Sequence, residues 1–534
     1  MSEHETFQFQ ALNLGLDILT SDFDDYLKDE SRFTGSACAL IRAHNAKDVS
    51  NSLMLANRHK VPLTVVSGKT SITGASAPQS GFILSVRGLD ALDEKNVDNV
   101  GVGVILKEYK KFVQQKGYFY PPDPTSEDSC TLGGTIACNA SGSLSYLYGP
   151  TRDYIYGLTV ALPNGTFLDI ERGRHFSDGG GFRVKPRDLN GNLLEELFIP
   201  APRIPQFSWD EVKNAAGLFS KDPMDLIDLF IGGEGILGIV VSARTRLIKK
   251  RNPYFALMIF VSSRYATVRL VQTLDKIRRL FHSETVDGYR GSGQKASVPE
   301  GPDSSGLEEF SKICPSCMEW FGSSTSGLLD GNHSEKLTKV YGALYIEQDY
   351  LDSDDMYTKL QKWSDMLDYL KSGNNFGAVE IEAATDEKHL RALRLERIQV
   401  PERLNERIKP GLRKIGTDLA VPMEKLDLLL SLYDEKLPKE LSCIFGHIGN
   451  AHLHANILAG DSAQIDQFNE LHLQMAKYVC SIGGSVSGEH GIGKLKKKLL
   501  KAMIGESGLE EIRKVKSALD PNWILNPGNI IDPD

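Results

Sequence analysis

The chain has 534 residues and a mass of 59.0 kDa, too long for one core at roughly 150 residues per domain, so two or three domains are expected. Its 41% hydrophobic and 25% charged residues exclude a mostly disordered chain. With 61 Lys+Arg against 70 Asp+Glu, the net charge of −9 gives no general attraction to nucleic acid or to an anionic membrane.

The acidic, polar start MSEHETFQFQ lacks the basic and apolar stretches of a signal peptide. No window reaches ~18 uninterrupted apolar residues. A cytoplasmic location is expected, with peripheral attachment at the inner face of a membrane left open. Residues 48–60 carry apolar positions at helical spacing. VPLTVV (61–66) is strand-like and leads into the turn-rich SGKTSITGAS (67–76). GFILSV (81–86) and VGVGVIL (100–106) read as further strands. Residues 101–103 give Gly-Val-Gly without a full GxGxxG, which leaves a Rossmann dinucleotide site unsupported.

From about residue 251 the pattern starts afresh. YFALMIFV (254–261) and YGALYIEQ (341–348) read as strands and 355–371 as a helix, predicting a separate α+β domain. The Gly-, Ser- and Pro-rich stretch 286–306 reads as a long loop or insertion. Cysteines at 38, 130, 138, 314, 317, 443 and 480 form no framework and read as reduced thiols. The CPSC pair, Cys314 and Cys317, has no second pair to complete a zinc site; it reads as spacing within a core strand, with redox chemistry the alternative.

Three loops combine glycine with small hydroxyl residues: 67–74, 121–143 and 232–240. Glycine lets backbone N–H groups approach an anion closely, and Ser and Thr add donors. Three such loops with almost no lysine favour a neutral cradle for a pyrophosphate. Further on, three of the 12 histidines fall at 447, 452 and 454. Strand alternation in AHLHANIL sets His452, His454 and Asn456 on one face and Leu453, Ala455 and Ile457 on a core face. His447 lies in a turn between Gly446 and Gly449 that folds it back beside His454. GGSVSGEHGIGK (483–494), a glycine turn opening a basic helix (KLKKKLLKAM), presents Glu489 and His490 side by side. Such a set suits a divalent metal or a buried hydrogen-bonded cluster, and spacing alone does not choose between them.

The order of these motifs resembles the FAD-linked oxidases and dehydrogenases of the vanillyl-alcohol-oxidase type fold, in the branch with D-lactate dehydrogenase, glycolate oxidase and D-2-hydroxyglutarate dehydrogenase. The matching stretches include SGKTSITGAS, PPDPTS with TLGGTIACNASGS, YGPTRDYIYGLTVALPNG, KNAAG, GGEGILGI, TDLAVP, GHIGNAHLHANI, GGSVSGEHGIGK and LDPNWILNPGNI. The resemblance implies an α+β protein. A two-subdomain FAD-binding domain spans 1–250, a ferredoxin-like substrate or cap domain spans 251–515, and a segment, 516–534, returns to the FAD domain.

By the same resemblance Gly68, Lys69, Thr70, Ser71 and Gly74 line the pyrophosphate, and Pro122, Gly133, Gly134, Ala137, Asn139 and Gly142 continue the cradle. Glu234, Gly235 and Gly238 lie near the adenosine, and Asn526 closes over the flavin with Pro527. The chain departs from the family at Lys69, often Gly or Arg, and at Ser141, usually Gly. Relatives that tether flavin covalently use a His or Cys in these loops; residues 67–76 contain neither, so FAD is expected to be non-covalent, Cys130 and Cys138 being the alternative anchors.

The resemblance further makes His447, His454 and Glu489 ligands of a divalent metal, Zn or Mn, and His490 the base. Where the metal-dependent members have Asp-Gly-Asn, this chain has Asn450, Ala451 and His452, so His452 is a fourth ligand or a substrate contact. Arg397, better aligned than Arg394, and Lys414 are candidates for the substrate carboxylate, and Asn456 for a further contact. The implied reaction is oxidation of a small D-2-hydroxy acid to a 2-oxo acid, with electrons passed to a separate quinone, cytochrome or electron-transferring flavoprotein. A homodimer is compatible. The alternatives are alkyl-dihydroxyacetonephosphate-synthase-like chemistry on the same fold and a non-catalytic flavoprotein subunit.

Overall fold

A computed structural model describes residues 3–204, 212–282, 306–372, 377, 379–408 and 412–533. The expected insertion at 286–306 lies, except for Gly306, outside the described residues. The first sheet grows from a β–α–β unit. Strand Ala39–Arg42 leads into helix Ala46–His59, whose N-cap Asn45 accepts the Asp48 N–H at 3.0 Å; Lys60, at φ 52°, ends it in the left-handed region. Strand Leu63–Val66 follows, and both strands run parallel to Phe82–Ser85 between them, with Asp17–Leu19 antiparallel at the edge. A second four-stranded, antiparallel sheet is ordered Asn99–Gly101, Ile239–Thr245, Ile155–Ala161, Phe167–Glu171. Of the expected strand at 100–106 only the start pairs in the sheet: residues 102–104 turn, Ile105 makes a single bridge to Thr131, and helix Leu106–Gln115 begins.

Residues 254–384 follow a β–α–β–β–α–β path: strand Tyr254–Val261, helix Arg264–Phe281, strands Pro315–Gly322 and Gly342–Asp349, helix Ser353–Ser372, strand Val379–Ala384. Numbered along this unit, the strands lie side by side in the order 4-1-3-2, all antiparallel, which is the ferredoxin-like arrangement. Strand Ser442–Gly446 pairs with Pro315–Gly322 and extends the sheet through His452–Ala459 to Arg413–Gly416. Cys317 is fully buried within the strand Pro315–Gly322, and Cys314 immediately precedes it.

The basic helix begins at Lys497 and not at Lys494. Gly491 and Gly493, at φ 73° and 51°, hold the preceding segment in a turn, so Lys494 and Lys496 are buried turn residues. Helix Lys497–Leu519 runs through the expected boundary at 515/516. The segment after this helix bonds to the first sheet: Leu63 N–H donates to Ile524 O at 2.7 Å, and Val65 N–H to Asn526 Oδ1 at 2.7 Å.

Candidate active site

A cavity of about 1990 Å³ runs between the glycine loops and the extended sheet. This exceeds the roughly 300–1,000 Å³ of an ordinary ligand pocket and leaves room for a dinucleotide and a small substrate. Its wall includes Gly68, Lys69, Thr70, Ser71, Gly133, Gly134, Ala137, Gly142, Glu234, Gly235, Gly238 and Asn526. Four residues expected there, Gly74, Pro122, Asn139 and Pro527, are not among the lining. Pro122 is buried, Gly74 accepts the Lys494 ammonium at its carbonyl (3.1 Å), and Asn139 ends helix Leu132–Cys138 in the left-handed region while accepting the Arg152 N–H at 2.9 Å. Motif membership does not reveal which face a residue shows.

The cradle fits a pyrophosphate. A Cβ at Gly134 would meet only Thr131 Oγ1, at 3.4 Å, so bare backbone is open at the cavity wall in the first turn of helix Leu132–Cys138. At Gly68 a Cβ would stand 2.8 Å from the Ser129 carbonyl, so two loops meet where only glycine fits. Glu234 is a buried tie. Its carboxylate accepts Ile492 N–H at 2.6 Å and Gly493 N–H at 2.7 Å, and its carbonyl accepts Asn526 Nδ2 at 2.7 Å. It thereby joins the third glycine loop, the GEHGIGK turn and the C-terminal segment.

Across the cavity the histidines converge on one carboxylate. His447 Nε2 and His454 Nε2 lie 3.1 and 3.0 Å from Glu489 Oε1. The other oxygen, Oε2, accepts from Lys213 Nζ at 2.9 Å and Ser141 Oγ at 3.1 Å. His447 Nδ1 lies 2.7 Å from Glu319. His490 Nδ1 is 3.2 Å from Asp418 Oδ1, and its backbone N–H donates to Asp418 Oδ2 at 3.0 Å. Fully buried Asp418 also faces His452 Nε2 at 2.7 Å, Ser487 Oγ at 2.6 Å and Lys496 Nζ at 2.9 Å. His447, His454, Glu489 and His490 line the cavity. His452 is fully buried and is not on that wall, so it does not meet the expectation of a substrate contact. Helix Ser462–Ser481 packs on its strand, and Asp418 and the backbone of Gly488 close over the ring itself.

Burial alone would raise Glu489, but His447 and the Lys213 ammonium hold it well below the usual carboxylate range. Asp418 is held low in the same way, against its burial, by His490 and Lys496. Burial opposes a charge on His447, yet Glu319 and Glu489 raise it to about 9. On His454 burial prevails and the pKa falls. The donor set of imidazoles and an ionised carboxylate fits a divalent ion, whose binding would require His447 to give up its proton.

Arg397, on helix Glu387–Glu406, lines the cavity; its Nε is buried without a partner among the described residues. Arg394 is not on the wall and lies 3.5 Å from Tyr254 Oη. Lys414 lines the exposed side and donates to Asn405 Oδ1 at 2.6 Å. Asn456 lines the cavity with a buried, unpartnered Nδ2. Glu319, Asp418, Lys213 and Lys494 were not predicted. Glu319 carried a signal: it is the single charge in the apolar strand PSCMEWFG, and a buried carboxylate requires a partner.

Comparison with known proteins follows the same division. The FAD binding domain family matches residues 37–171, and the C-terminal domain of FAD linked oxidases matches 343–530. The chain is 26% identical to glycolate oxidase subunit GlcD of Bacillus subtilis over 93% of its own length and 89% of the relative. It is 25% identical to D-2-hydroxyglutarate dehydrogenase of Stutzerimonas stutzeri, covering 95% and 93%. It is also 25% identical to the mitochondrial D-lactate dehydrogenase [cytochrome] of Arabidopsis thaliana, covering 97% and 78%. Among solved structures, 4-ethylphenol oxidase from Gulosibacter chungangensis superposes with a TM-score of 0.66 at 14% identity, covering 100% of this chain and 98% of that one. An alkyldihydroxyacetonephosphate synthase gives 0.63 at 14%, covering 98% and 84%. These two likenesses establish the fold. With both domain families in their order along one chain, the protein belongs to the FAD-linked oxidase and dehydrogenase family, on the vanillyl-alcohol-oxidase type fold.

Proposed function

We propose that this protein oxidises a small D-2-hydroxy acid, of the D-lactate kind, to the 2-oxo acid. The observation that carries the reading is the meeting, in one cavity, of the FAD loops with the Glu489–His490 pair and Arg397. Bound FAD supplies a two-electron acceptor, and a divalent ion, Zn or Mn, held by His447, His454 and Glu489 supplies Lewis acidity toward substrate oxygens.

The chain's own residues do the rest. Arg397 offers a fork to the substrate carboxylate, with Lys414 and Asn456 as further contacts. His490 takes the hydroxyl proton at Nε2, since Nδ1 and the backbone N–H are engaged by Asp418. Proton transfer of this kind is typically worth about 10²–10⁴-fold. Glu319 holds His447 from behind, and Lys213 with Ser141 fixes the second oxygen of Glu489. Electrons pass onward to a separate quinone, cytochrome or electron-transferring flavoprotein, consistent with a relative named for a cytochrome. Anaerobic mixing with D-lactate, L-lactate, glycolate and D-2-hydroxyglutarate tests the reading. Flavin bleaching by a D-acid and not by L-lactate is expected; no bleaching by any 2-hydroxy acid overturns it.

A further inference from the structure

One imidazole beside the proposed ligands has no role in that reading. His452 is fully buried, and its Nε2 lies 2.7 Å from Asp418 Oδ1, which holds the ring proton on that nitrogen. Nδ1 is then a bare acceptor, buried with no partner among the described residues. A buried acceptor left without a donor is costly and rare. The ring sits among the other imidazoles, its centroid 4.6 Å from that of His454 and 5.5 Å from that of His447. One ligand atom each from His447, His452, His454 and Glu489 lies within 4.8 Å of the other three. On the ring's other edge is Gly488, where a Cβ would stand 2.6 Å from His452 Cδ2 and 2.7 Å from Nε2. The glycine therefore lets the ring pack against the turn that carries Glu489.

A ring N–H fixed on a carboxylate, with the opposite nitrogen bare, is the state in which histidines bind metal. We infer that His452 is a fourth protein ligand, through Nδ1, so that the divalent ion is held by three imidazoles and one carboxylate. This rests on the proposed role of His447, His454 and Glu489. His452 approaches from the protein interior, whereas the other three donors line the cavity, so the cavity side of the ion is left to substrate. Asp418 Oδ1 then faces both this ligand, at 2.7 Å, and the proposed base His490, at 3.2 Å, and couples their orientations.

X-ray absorption of the full-length, FAD-loaded protein, stripped of metal and reloaded with Zn²⁺, counts the imidazoles bound. Three are expected, and two overturn the inference. In His452→Gln, whose amide still donates to Asp418, the count should fall to two. Zinc affinity by chelator competition should then drop at least about 10-fold, the scale on which even a ligand's outer partner acts. An unchanged affinity also overturns the inference, and if the variant does not fold, the wild-type count still decides. Zinc bound through two imidazoles and lost in His447→Ala would leave the three-ligand reading standing and remove His452 alone. Wild-type protein that takes up no zinc would remove both.

Discussion

At the residue scale, the two neighbours Glu489 and His490 are held chiefly by different partners, and that difference is the basis for giving them different tasks. Glu489 Oε1 gathers His447 and His454, while His490 gives Nδ1 and its backbone N–H to Asp418 and leaves Nε2 on the cavity side, 3.5 Å from the same Oε1. Glu489→Ala should lose bound metal, whereas His490→Ala should keep metal and FAD and reduce flavin about 10²–10⁴-fold more slowly. Elemental analysis with single-turnover flavin reduction measures both; normal reduction in His490→Ala removes it as the base. Arg397 belongs to the same scale. Truncation to Ala should raise KM by a factor matching the ~1.5–3 kcal/mol of a charged hydrogen bond while flavin content stays constant. Arg397→Lys should recover part of that loss, because it restores the charge without the fork. An unchanged KM would shift attention to Lys414.

The histidine motif and the GEHGIGK turn were legible because their side chains lie close together in sequence, so a strand period or a glycine turn is enough to aim them. Glu319, Asp418 and Lys213 were not. Each reaches the cluster from a different segment, and only strand pairing or loop packing brings it within hydrogen-bonding distance.

At the element scale, the tie made by Glu234 has a pH signature. Burial raises Glu234 from 4.5 to about 7, against the two N–H bonds it accepts and the charges of Lys494 and Lys496. A carboxyl group with a raised folded pKa contributes stability that is complete below its unfolded pKa. That contribution is lost as pH rises through the folded value. Glu234 should therefore make the protein less stable between pH 4.5 and 7, with a slope of up to ~1.4 kcal/mol per pH unit. Glu234→Gln should flatten that part of the profile and lower stability overall, since an amide accepts only one of the two N–H bonds. Thermal unfolding across this range in FAD-saturated samples is the measurement, and an unaltered slope would exclude Glu234 as its source.

Asn526 makes the matching bond at the C-terminal segment. Its loss orphans Val65 N–H and the Glu234 carbonyl, so Asn526→Ala should cost about 1–3 kcal/mol in chemical denaturation and weaken FAD retention.

At the scale of the whole molecule, the FAD-binding sheets and the ferredoxin-like sheet are fastened around the cavity. Tyr148 Oη donates to Asp349 at 3.2 Å and Ser145 Oγ to Asn450 at 3.3 Å. A Cβ at Gly449 would stand 2.6 Å from the Tyr146 ring, so the two parts meet without a gap there. No helix among the described residues is long and apolar enough to cross a membrane. The two cysteines nearest the cradle have thiols that burial pushes up, Cys130 to about 11 and Cys138 to about 12, which makes them poor nucleophiles. Acid denaturation should therefore release FAD into solution. Yellow colour retained by the precipitated polypeptide would mean a covalent link.

The sequence by itself determined the elements and their chemistry. Periodicity marked strands such as 254–261, and glycine spacing marked the loops that approach an anion. Short motifs placed the imidazoles beside a carboxylate. All of these are local properties, decided by backbone conformation within a few residues. Tertiary structure decided which faces of those motifs meet the cavity, leaving Gly74, Pro122 and Asn139 outside its lining. It moved the start of the last helix to Lys497, because Glu234, far away in the chain, takes the Ile492 and Gly493 N–H groups. It also supplied the buried partners, Glu319, Asp418 and Lys213, that set the charge of each site residue. The physical reason is range: hydrogen bonds and Coulomb interactions act over a few ångströms of space, and only the fold converts distance along the chain into that separation.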